Sequence, residues 1–145
     1  MEKEMVILIT EDDPGHALLI KRNLQRAGIG NEIMHFSDGK EVLDFLFTKR
    51  DDKHKESHYL LLLDIRMPKV DGVEVLRQIK QDTELCKIPI IMITTTDDPL
   101  EVEKCYQLGC NIYITKPVDY DKFVDAIKRL GLFIMVVEIP KINRN

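Results

Sequence analysis

The sequence predicts a doubly wound α/β fold, in which a five-stranded parallel sheet is covered by helices on both faces. Strand-sized apolar runs alternate with amphipathic segments along the chain, and the central run, YLLLL, has no charged or small polar residue. Alternation of this kind builds right-handed βαβ units and a parallel sheet. A strand buried on both faces has no polar side, which explains why the leucine run does not alternate.

Five apolar runs have the length of a strand. They are MVILIT (5–10), EIMHF (32–36), YLLLLD (59–64), IPIIMIT (88–94) and NIYIT (111–115). The third run ends in Asp64, and a proline, a second acid and a glycine follow shortly after it. A buried strand therefore delivers a carboxylate to one edge of the sheet.

The segments between the runs carry helix start signals. An aspartate precedes either a proline in the first turn or a glutamate three positions later: the pairs are Asp13 with Pro14, Asp38 with Glu41, Asp71 with Glu74, and Asp98 with Pro99. The last helix begins near Asp119, and a pause is expected at Gly131, because glycine has a low helix propensity. Five helices therefore alternate with the strands.

Length and composition indicate a single domain. With 145 residues, of which 44% are hydrophobic, the chain can bury a core without disulfides or a structural metal. We expect this domain to cover residues 1–131 and to be followed by an apolar C-terminal extension, 132–145, with no separate domain after it. The charged segment 48–58 predicts a solvated loop.

Charge and cysteine content exclude several classes of protein. The net charge of −4 argues against a nucleic-acid or anionic-membrane surface, which would need a basic field. No apolar run approaches the ~20 residues of a membrane span, and the N-terminus MEKEM lacks the layout of a signal peptide. We therefore expect a cytoplasmic protein. Cys86, Cys105 and Cys110 lack the spacing of zinc ligands, so we interpret them as reduced thiols.

Polar residues stand where the strands are predicted to end. They are Glu11, Asp12 and Asp13 after the first run, Asp64 after the third, Thr94, Thr95 and Thr96 at the fourth, and Lys116 with Pro117 after the fifth. Ligand sites in open parallel sheets form at these carboxyl ends. Each residue alone has an ordinary structural explanation, but crowded carboxylates oppose folding unless a cation lies among them. Carboxylate oxygens suit a hard divalent ion, and we expect Mg²⁺.

The charges of this set favour phosphoryl chemistry. The negative charges of Glu11, Asp12 and Asp64 are offset by the positive charges of Mg²⁺ and Lys116. A phosphoryl group can then bridge the metal, the ammonium and a hydroxyl. A carboxylate in line with the phosphorus can itself accept the phosphoryl group as an acyl phosphate. The residues alone do not select among the three threonines.

The polar set lies within four longer stretches of the chain: ILITEDDPGHALLIKRNL, LLLLDIRMPKVDGVEVLRQIK, IPIIMITTT and NIYITKPV. Together these stretches resemble the receiver domain of two-component response regulators over about residues 4 to 131. The resemblance implies the flavodoxin-like strand order 2-1-3-4-5. Within the family, the chain is similar to small single-domain regulators that partner phytochrome-type sensor kinases, on the stretch EDDPGHALL, the loop at 48–58 and the apolar tail ending in VEIP.

The resemblance implies a role for each residue of the acidic set. Asp64 falls at the position of the phosphoacceptor, and Glu11 and Asp12 at the acidic pair that recruits Mg²⁺. Arg66 falls at the residue whose backbone carbonyl binds the metal. Asp13 falls at the position that caps the first helix.

It also assigns the residues around the phosphoryl group. Thr94 falls at the switch hydroxyl, Lys116 at the phosphate-binding lysine and Tyr113 at the aromatic switch. Pro117 follows a peptide bond that is usually cis in the family. Arg66 and Thr96 flank the expected path of attacking water, where they would tune the lifetime of the phosphorylated state.

These assignments predict a signalling protein that is not a turnover enzyme but catalyses its own phosphorylation and dephosphorylation. A sensor histidine kinase donates the phosphoryl group to Asp64, and the surface of the fourth helix, fifth strand and fifth helix then changes. The expected partners are that kinase, an unknown downstream protein and a second copy bound through the last helix and tail.

Alternatives remain open from the sequence. A pseudo-receiver would bind partners without being phosphorylated, although no member of the acid, threonine and lysine set is missing. A phosphatase of the haloacid-dehalogenase type also uses an aspartate nucleophile, but it requires a second acid two residues later, where this chain has Arg66. A flavin site would be repelled by the acids after the first strand.

Overall fold

The computed structural model describes residues 5–49, 58–137, 139, 140 and 142. The strands are β1 (Met5–Thr10), β2 (Ile33–Phe36), β3 (His58–Leu63), β4 (Ile90–Thr94) and β5 (Ile112–Thr115). The helices are α1 (Pro14–Arg26), α2 (Gly39–Asp44), α3 (Gly72–Lys80), α4 (Pro99–Leu108) and α5 (Tyr120–Val136). A π-helical turn (Phe45–Lys49) continues α2, and a 3-10 turn (Leu85–Lys87) precedes β4. Every predicted strand forms within two residues of its predicted bounds.

The sheet is parallel and has the order β2-β1-β3-β4-β5, which confirms the predicted topology. The central strand β3 pairs with β1 on one side and β4 on the other. Leu61 and Leu63 pack with α2 and α3, whereas Leu60 and Leu62 pack with α1 and α5. The unbroken leucine run thus supplies both cores, as expected for a strand covered on both faces.

The predicted capping acids begin the helices. Each side chain accepts a backbone N–H of the first turn: Asp13 from Gly15 and His16, Asp38 from Glu41, Asp71 from Glu74, Asp98 from Leu100, and Asp119 from Lys122. These bonds satisfy donors that have no partner within the helix. Because every helix begins just after a strand end, the caps also fix the loops that carry the polar set.

Helix α5 continues through Gly131, so the predicted pause there is wrong. A Cβ at Gly131 would lie 2.8 Å from the Cβ of Ala27, just after α1. Glycine is therefore required for close packing between α1 and α5. This packing, which the helix propensity scale does not include, outweighs the low propensity of glycine.

Part of the segment that was predicted to be a C-terminal extension packs against the rest of the chain. Ile139 is buried in the core beneath α1 and α5, and Ile142 is buried in the core beneath α2 and α3. His58 Nδ1 donates a hydrogen bond to the backbone carbonyl of Ile139 at 2.6 Å. The described part of the extension therefore crosses from one face of the sheet to the other. Most of the predicted loop, residues 50–57, lies outside the described residues.

Lys69 adopts a left-handed backbone conformation in the loop after β3. Its φ of 68° is the single positive value among the described non-glycine residues. This conformation costs about 1–2 kcal/mol for a residue with a Cβ. Its ammonium lies 3.4 Å from Asp38 Oδ2, and this ion pair is lost in a glycine variant and in an alanine variant alike.

We expect Lys69→Gly to be more stable than Lys69→Ala by about 1 kcal/mol, because both variants lose the ion pair and only glycine relieves the backbone strain. Urea unfolding, followed by circular dichroism, measures the difference. An alanine variant at least as stable as the glycine variant would show that the left-handed conformation carries no strain.

Candidate functional site

The three predicted metal ligands converge at the carboxyl ends of two neighbouring strands. Glu11 and Asp12 follow β1, and Asp64 follows β3. One carboxylate oxygen from each residue lies within 4.8 Å of the others. Glu11 and Asp64 are buried, whereas Asp12 is exposed. The cluster therefore has a buried base and an open side that faces solvent.

Lys116 places a buried positive charge against this cluster. Its ammonium donates to Glu11 Oε1 and, at 3.2 Å, to Asp64 Oδ2. Its backbone N–H donates to the carbonyl of Thr94 at 2.6 Å, which holds the end of β5 against β4. The side chain of Lys116 is only 4% exposed, so little water screens its attraction to the two carboxylates.

Glu11 is the titratable group that this environment perturbs most clearly. Burial raises its pKa to about 7, and the nearby charge of Asp64 acts in the same direction. Two hydrogen bonds lower the pKa of Glu11: one comes from Lys116, and the other comes from the backbone N–H of Asp13, which donates to Glu11 Oε2 at 3.1 Å.

The backbone of Glu11 is also held in place. His35 Nε2 donates to its carbonyl oxygen at 2.7 Å and fixes the strand end.

The raised pKa of Glu11 predicts pH-dependent binding of a divalent cation. The native state without a cation retains a proton on Glu11 between its ordinary pKa of 4.5 and about 7, where the unfolded chain has released it. The stability that this proton provides is complete below pH 4.5 and is lost as the pH rises through about 7. A cation must displace the proton, so it binds more weakly below that pH.

We therefore expect Mg²⁺ to raise the Tm more at about pH 8 than at about pH 6, with release of a proton at the lower pH. Thermal unfolding with and without Mg²⁺ measures the first effect, and calorimetry in buffers of different protonation enthalpy measures the second. Glu11→Gln is the control, since it should bind the ion weakly and without proton release. An equal rise in Tm at both pH values would contradict the prediction.

Asp64 is held by a tight turn. Its Oδ1 accepts the backbone N–H of Ile65 at 2.7 Å. The N–H of Gly72, at the start of α3, donates to the carbonyl of Ile65 at 2.8 Å. A Cβ at Gly72 would lie 2.0 Å from the backbone oxygen of Asp64. The loop that leaves the strand therefore closes back on Asp64, which leaves its Oδ2 directed to Lys116.

The predicted hydroxyl and aromatic residues lie on β4, β5 and the loop after β4. The buried Oγ1 of Thr94 has no hydrogen-bond partner among the described residues. The phenol of Tyr113 donates to the backbone carbonyl of Thr96 at 2.8 Å, and burial raises its pKa to about 12. Tyr113 is therefore a neutral donor that links β5 to the loop after Thr94.

The peptide bond between Lys116 and Pro117 is trans, so the prediction of a cis bond there is wrong. No cis peptide bond occurs among the described residues. The trans isomer is intrinsically favoured before proline by about 0.5–1 kcal/mol. Arg66 is exposed in the loop after Asp64.

His16 is a site residue that the sequence does not identify. It lies one turn into α1, and its Nδ1 is 3.1 Å from Lys116 Nζ. Its position near the start of a helix that follows a strand end was the available signal. That signal places many residues near a site without showing which of them makes contact.

Comparison with known proteins identifies the family. The model of the response regulator receiver domain matches residues 7–128. The chain belongs to this family. A receiver domain structure from Rhodospirillum rubrum is 42% identical and has a TM-score of 0.89, covering 96% of this chain and 99% of its own.

Two cyanobacterial proteins are also similar. Response regulator Rcp1 from Synechocystis is 35% identical over 130 residues, or 88% of each chain. Its Mn²⁺-bound structure has a TM-score of 0.84, with 30% identity over 93% of this chain and 98% of its own. The phosphorylated phytochrome response regulator RcpA has a TM-score of 0.85 and 28% identity, over 96% of this chain and 99% of its own.

Membership of this family carries general consequences. Receiver domains bind divalent metal ions, receive their signal from a histidine kinase and are generally signalling proteins rather than turnover enzymes. The acidic cluster of Glu11, Asp12 and Asp64 is consistent with such an ion. In the part of the chain that the structure describes, no helix is long and apolar enough to cross a membrane.

Proposed function

We propose that this response regulator accepts a phosphoryl group from a sensor histidine kinase onto Asp64 in a Mg²⁺-dependent reaction. The observation that carries the proposal is the position of the buried Lys116 ammonium between Glu11 and Asp64, beside the open carboxylate of Asp12. Positive charge held next to a carboxylate at an open strand end is the arrangement that phosphoryl transfer requires.

The residues present fit a hard divalent cation. Three carboxylate oxygens lie close enough to share one ion, and oxygen ligands are those that Mg²⁺ prefers. Glu11, Asp12, Asp64 and the backbone carbonyl of Arg66 would hold it. When bound, Mg²⁺ would offset the negative charge that develops on the phosphoryl oxygens.

The chain's own residues carry the remaining steps. An oxygen of the Asp64 carboxylate attacks the phosphorus of a phosphohistidine, forming an O–P bond while the P–N bond breaks. The leaving imidazole nitrogen keeps the electron pair of that bond. Lys116 exchanges its contact with Asp64 for a phosphoryl oxygen. Thr94 Oγ1, which is buried and has no hydrogen-bond partner in the described part of the chain, donates to another. Both contacts favour the acyl phosphate.

The signal would leave the site through Thr94 and Tyr113. Movement of Thr94 toward the phosphoryl group vacates space into which Tyr113 turns, and this rotation breaks the hydrogen bond from Tyr113 to Thr96. The surface of α4, β5 and α5 then changes, so a change of charge becomes a change of packing. A downstream protein reads this surface, and Arg66 and Thr96 tune how long the phosphoryl group persists.

The test is incubation with a small phosphodonor, with Mg²⁺ or with EDTA, followed by intact mass. We expect one added phosphoryl group per chain with Mg²⁺ and none with EDTA. No adduct under either condition would favour the pseudo-receiver. Steady turnover of a phosphate ester would favour the phosphatase. That enzyme class requires a second acid two positions after the nucleophile, where this chain has the exposed Arg66.

We also propose that residues 1–131 form the receiver domain, that 132–145 extend it, and that a second copy binds through α5 and this extension. Leu132, Met135 and Val136 support the dimer, since they are exposed apolar side chains at the end of α5. A cytoplasmic location is part of the same proposal, since this is where we expect the chain to meet its kinase.

The double variant Met135→Glu and Val136→Glu is expected to be monomeric at concentrations where the wild type is a dimer, because paired carboxylates would be buried in the interface. Light scattering coupled to size exclusion measures the mass. Glu substitution at the exposed Lys40, on α2 across the sheet from α5, is the control and should leave the dimer intact. A wild type that is monomeric at high micromolar concentration would contradict the dimer.

A further inference from the structure

All three donors of the Lys116 ammonium have an acceptor within the protein. A lysine ammonium has three N–H donors and no acceptor. They face Glu11 Oε1, Asp64 Oδ2 at 3.2 Å and His16 Nδ1 at 3.1 Å. These acceptors come from three different segments of the chain. They leave no donor for water and fix the position of the charge.

His16 differs from the other two acceptors in what the proposed reaction does to it. Asp64 becomes an acyl phosphate, and Glu11 belongs to the metal-binding set. Both contacts with Lys116 must therefore lengthen or be exchanged when a phosphoryl oxygen arrives. His16 belongs to neither the metal set nor the phosphate set. Its contact is the one of the three that the reaction can leave unbroken.

The structure also defines which nitrogen of His16 carries the proton. Because Lys116 can only donate, Nδ1 must be the acceptor and the proton lies on Nε2. Asp13 Oδ2 lies 3.9 Å from Nε2, too far for a hydrogen bond, but its charge favours a proton on that nitrogen. The backbone N–H of His16 donates to Asp13 Oδ1 and lowers the pKa of Asp13, which stays ionised.

A second element supports the imidazole ring. The ring of Phe123, on α5, lies 6.1 Å from it between centroids and is tilted by 53°. The imidazole is therefore held between the capped start of α1 and the face of α5. Its side chain remains 42% exposed, so substitution at this position leaves the buried core in place.

We propose that His16 is a positioning residue for Lys116. Its Nδ1 holds the ammonium in place beside Asp64 while the contacts of the ammonium to Glu11 and Asp64 are exchanged for contacts to phosphoryl oxygens. This role rests on the proposed function, whereas the contact itself exists without phosphorylation. Without His16 the lysine keeps only the two carboxylates, and its charge lies deeper toward Glu11 when the phosphoryl group arrives.

The first test needs no phosphorylation. In protein labelled with nitrogen isotopes, we expect His16 to show an unprotonated Nδ1, and we expect the Lys116 ammonium resonance, identified by its loss in Lys116→Gln, to be resolved. His16→Leu should shift or broaden that resonance, whereas His16→Asn, whose side-chain oxygen can replace Nδ1, should retain it. A Lys116 resonance that is the same in both variants would overturn the proposal, provided circular dichroism shows that both are folded.

The second test measures the rate of Asp64 phosphorylation by a small phosphodonor with Mg²⁺. His16→Leu is expected to slow it about tenfold, the effect of one charge-assisted hydrogen bond, and His16→Asn to stay within about threefold of the wild type. In the Lys116→Gln background, His16→Leu should have no further effect. An equal loss of phosphorylation rate with and without Lys116 would overturn the positioning role.

The two proposals can fail separately. A wild type that is not phosphorylated would refute the proposed function alone, and the resonance test would still decide whether His16 holds Lys116.

Discussion

Replacing Asp64 with asparagine is expected to abolish the phosphoryl adduct completely. The amide has nearly the same shape as the carboxylate, but it lacks the anionic oxygen that attacks phosphorus. Its Oδ1 can still accept the backbone N–H of Ile65, as in the wild type. The amide nitrogen that replaces Oδ2 cannot accept from Lys116, but Lys116 keeps Glu11 and His16 as acceptors. The variant should therefore still fold while losing the adduct. Intact mass after incubation with a small phosphodonor and Mg²⁺ measures the loss.

Removal of one charge from the cluster gives this prediction a second readout. Asp64 raises the pKa of Glu11 through its negative charge, so Asp64→Asn should lower that pKa and relieve repulsion in the protein without a cation. The Tm in EDTA should stay close to that of the wild type, because the relieved repulsion offsets the lost contact between Asp64 and Lys116. The Tm increase on addition of Mg²⁺ should be smaller, since one ligand charge is gone.

Asp119→Asn is the matched control for the same chemical change. Asp119 caps α5 by accepting the N–H of Lys122, and asparagine caps as well as aspartate. This variant should carry the full adduct. An adduct that persists on Asp64→Asn, located elsewhere by peptide mapping, would move the acceptor to another residue. Loss of the adduct from both variants would show that the assay does not report on Asp64.

The strands were predictable because burial on two faces leaves a simple signature. The leucines of β3 enter both cores alternately, so any polar residue within the run would be buried on one face or the other. The capping aspartates are equally local, because their partners lie within the first turn of the same helix. Features that depend on a few neighbouring positions could therefore be identified from the chain alone.

Features that depend on distant segments were harder to predict. Gly131 has a low helix propensity, but its neighbour in space is Ala27, which sequence spacing does not reveal. The apolar extension gave no sign that Ile139 and Ile142 would enter different cores. In both cases a partner in three dimensions, which the local pattern does not specify, decided the outcome.

The candidate site also contains some features that the sequence predicts and others that depend on distant segments. That acids, a threonine and a lysine would meet at one edge follows from parallel strands, whose carboxyl ends lie together. The order of those strands came from the family resemblance, and so did the choice of Thr94 among the threonines. The contact between His16 and Lys116 joins side chains 100 positions apart and depends on how α1 packs against α5, which no local pattern in this chain defines.

Gly72→Ala is expected to destabilise the protein by about 3 kcal/mol or more, an unusually large effect for the addition of one methyl group. The new Cβ would lie 2.0 Å from the backbone oxygen of Asp64 and 2.8 Å from the Cα of Ile65. Both obstacles are backbone atoms of the turn that holds Asp64, so they cannot move aside as a side chain would. Urea unfolding measures the change in stability.

Gly30→Ala provides the matched control, because a Cβ there meets nothing within 4 Å. It should change the stability by no more than about 0.5 kcal/mol. Any Gly72→Ala protein that still folds must displace the loop that begins at Asp64, so it should also be phosphorylated more slowly than the Gly30→Ala protein. If Gly72→Ala retains both wild-type stability and the wild-type rate, α3 does not need to approach Asp64 as closely as the structure shows. The rigid position of Asp64 would then have to come from β3 alone.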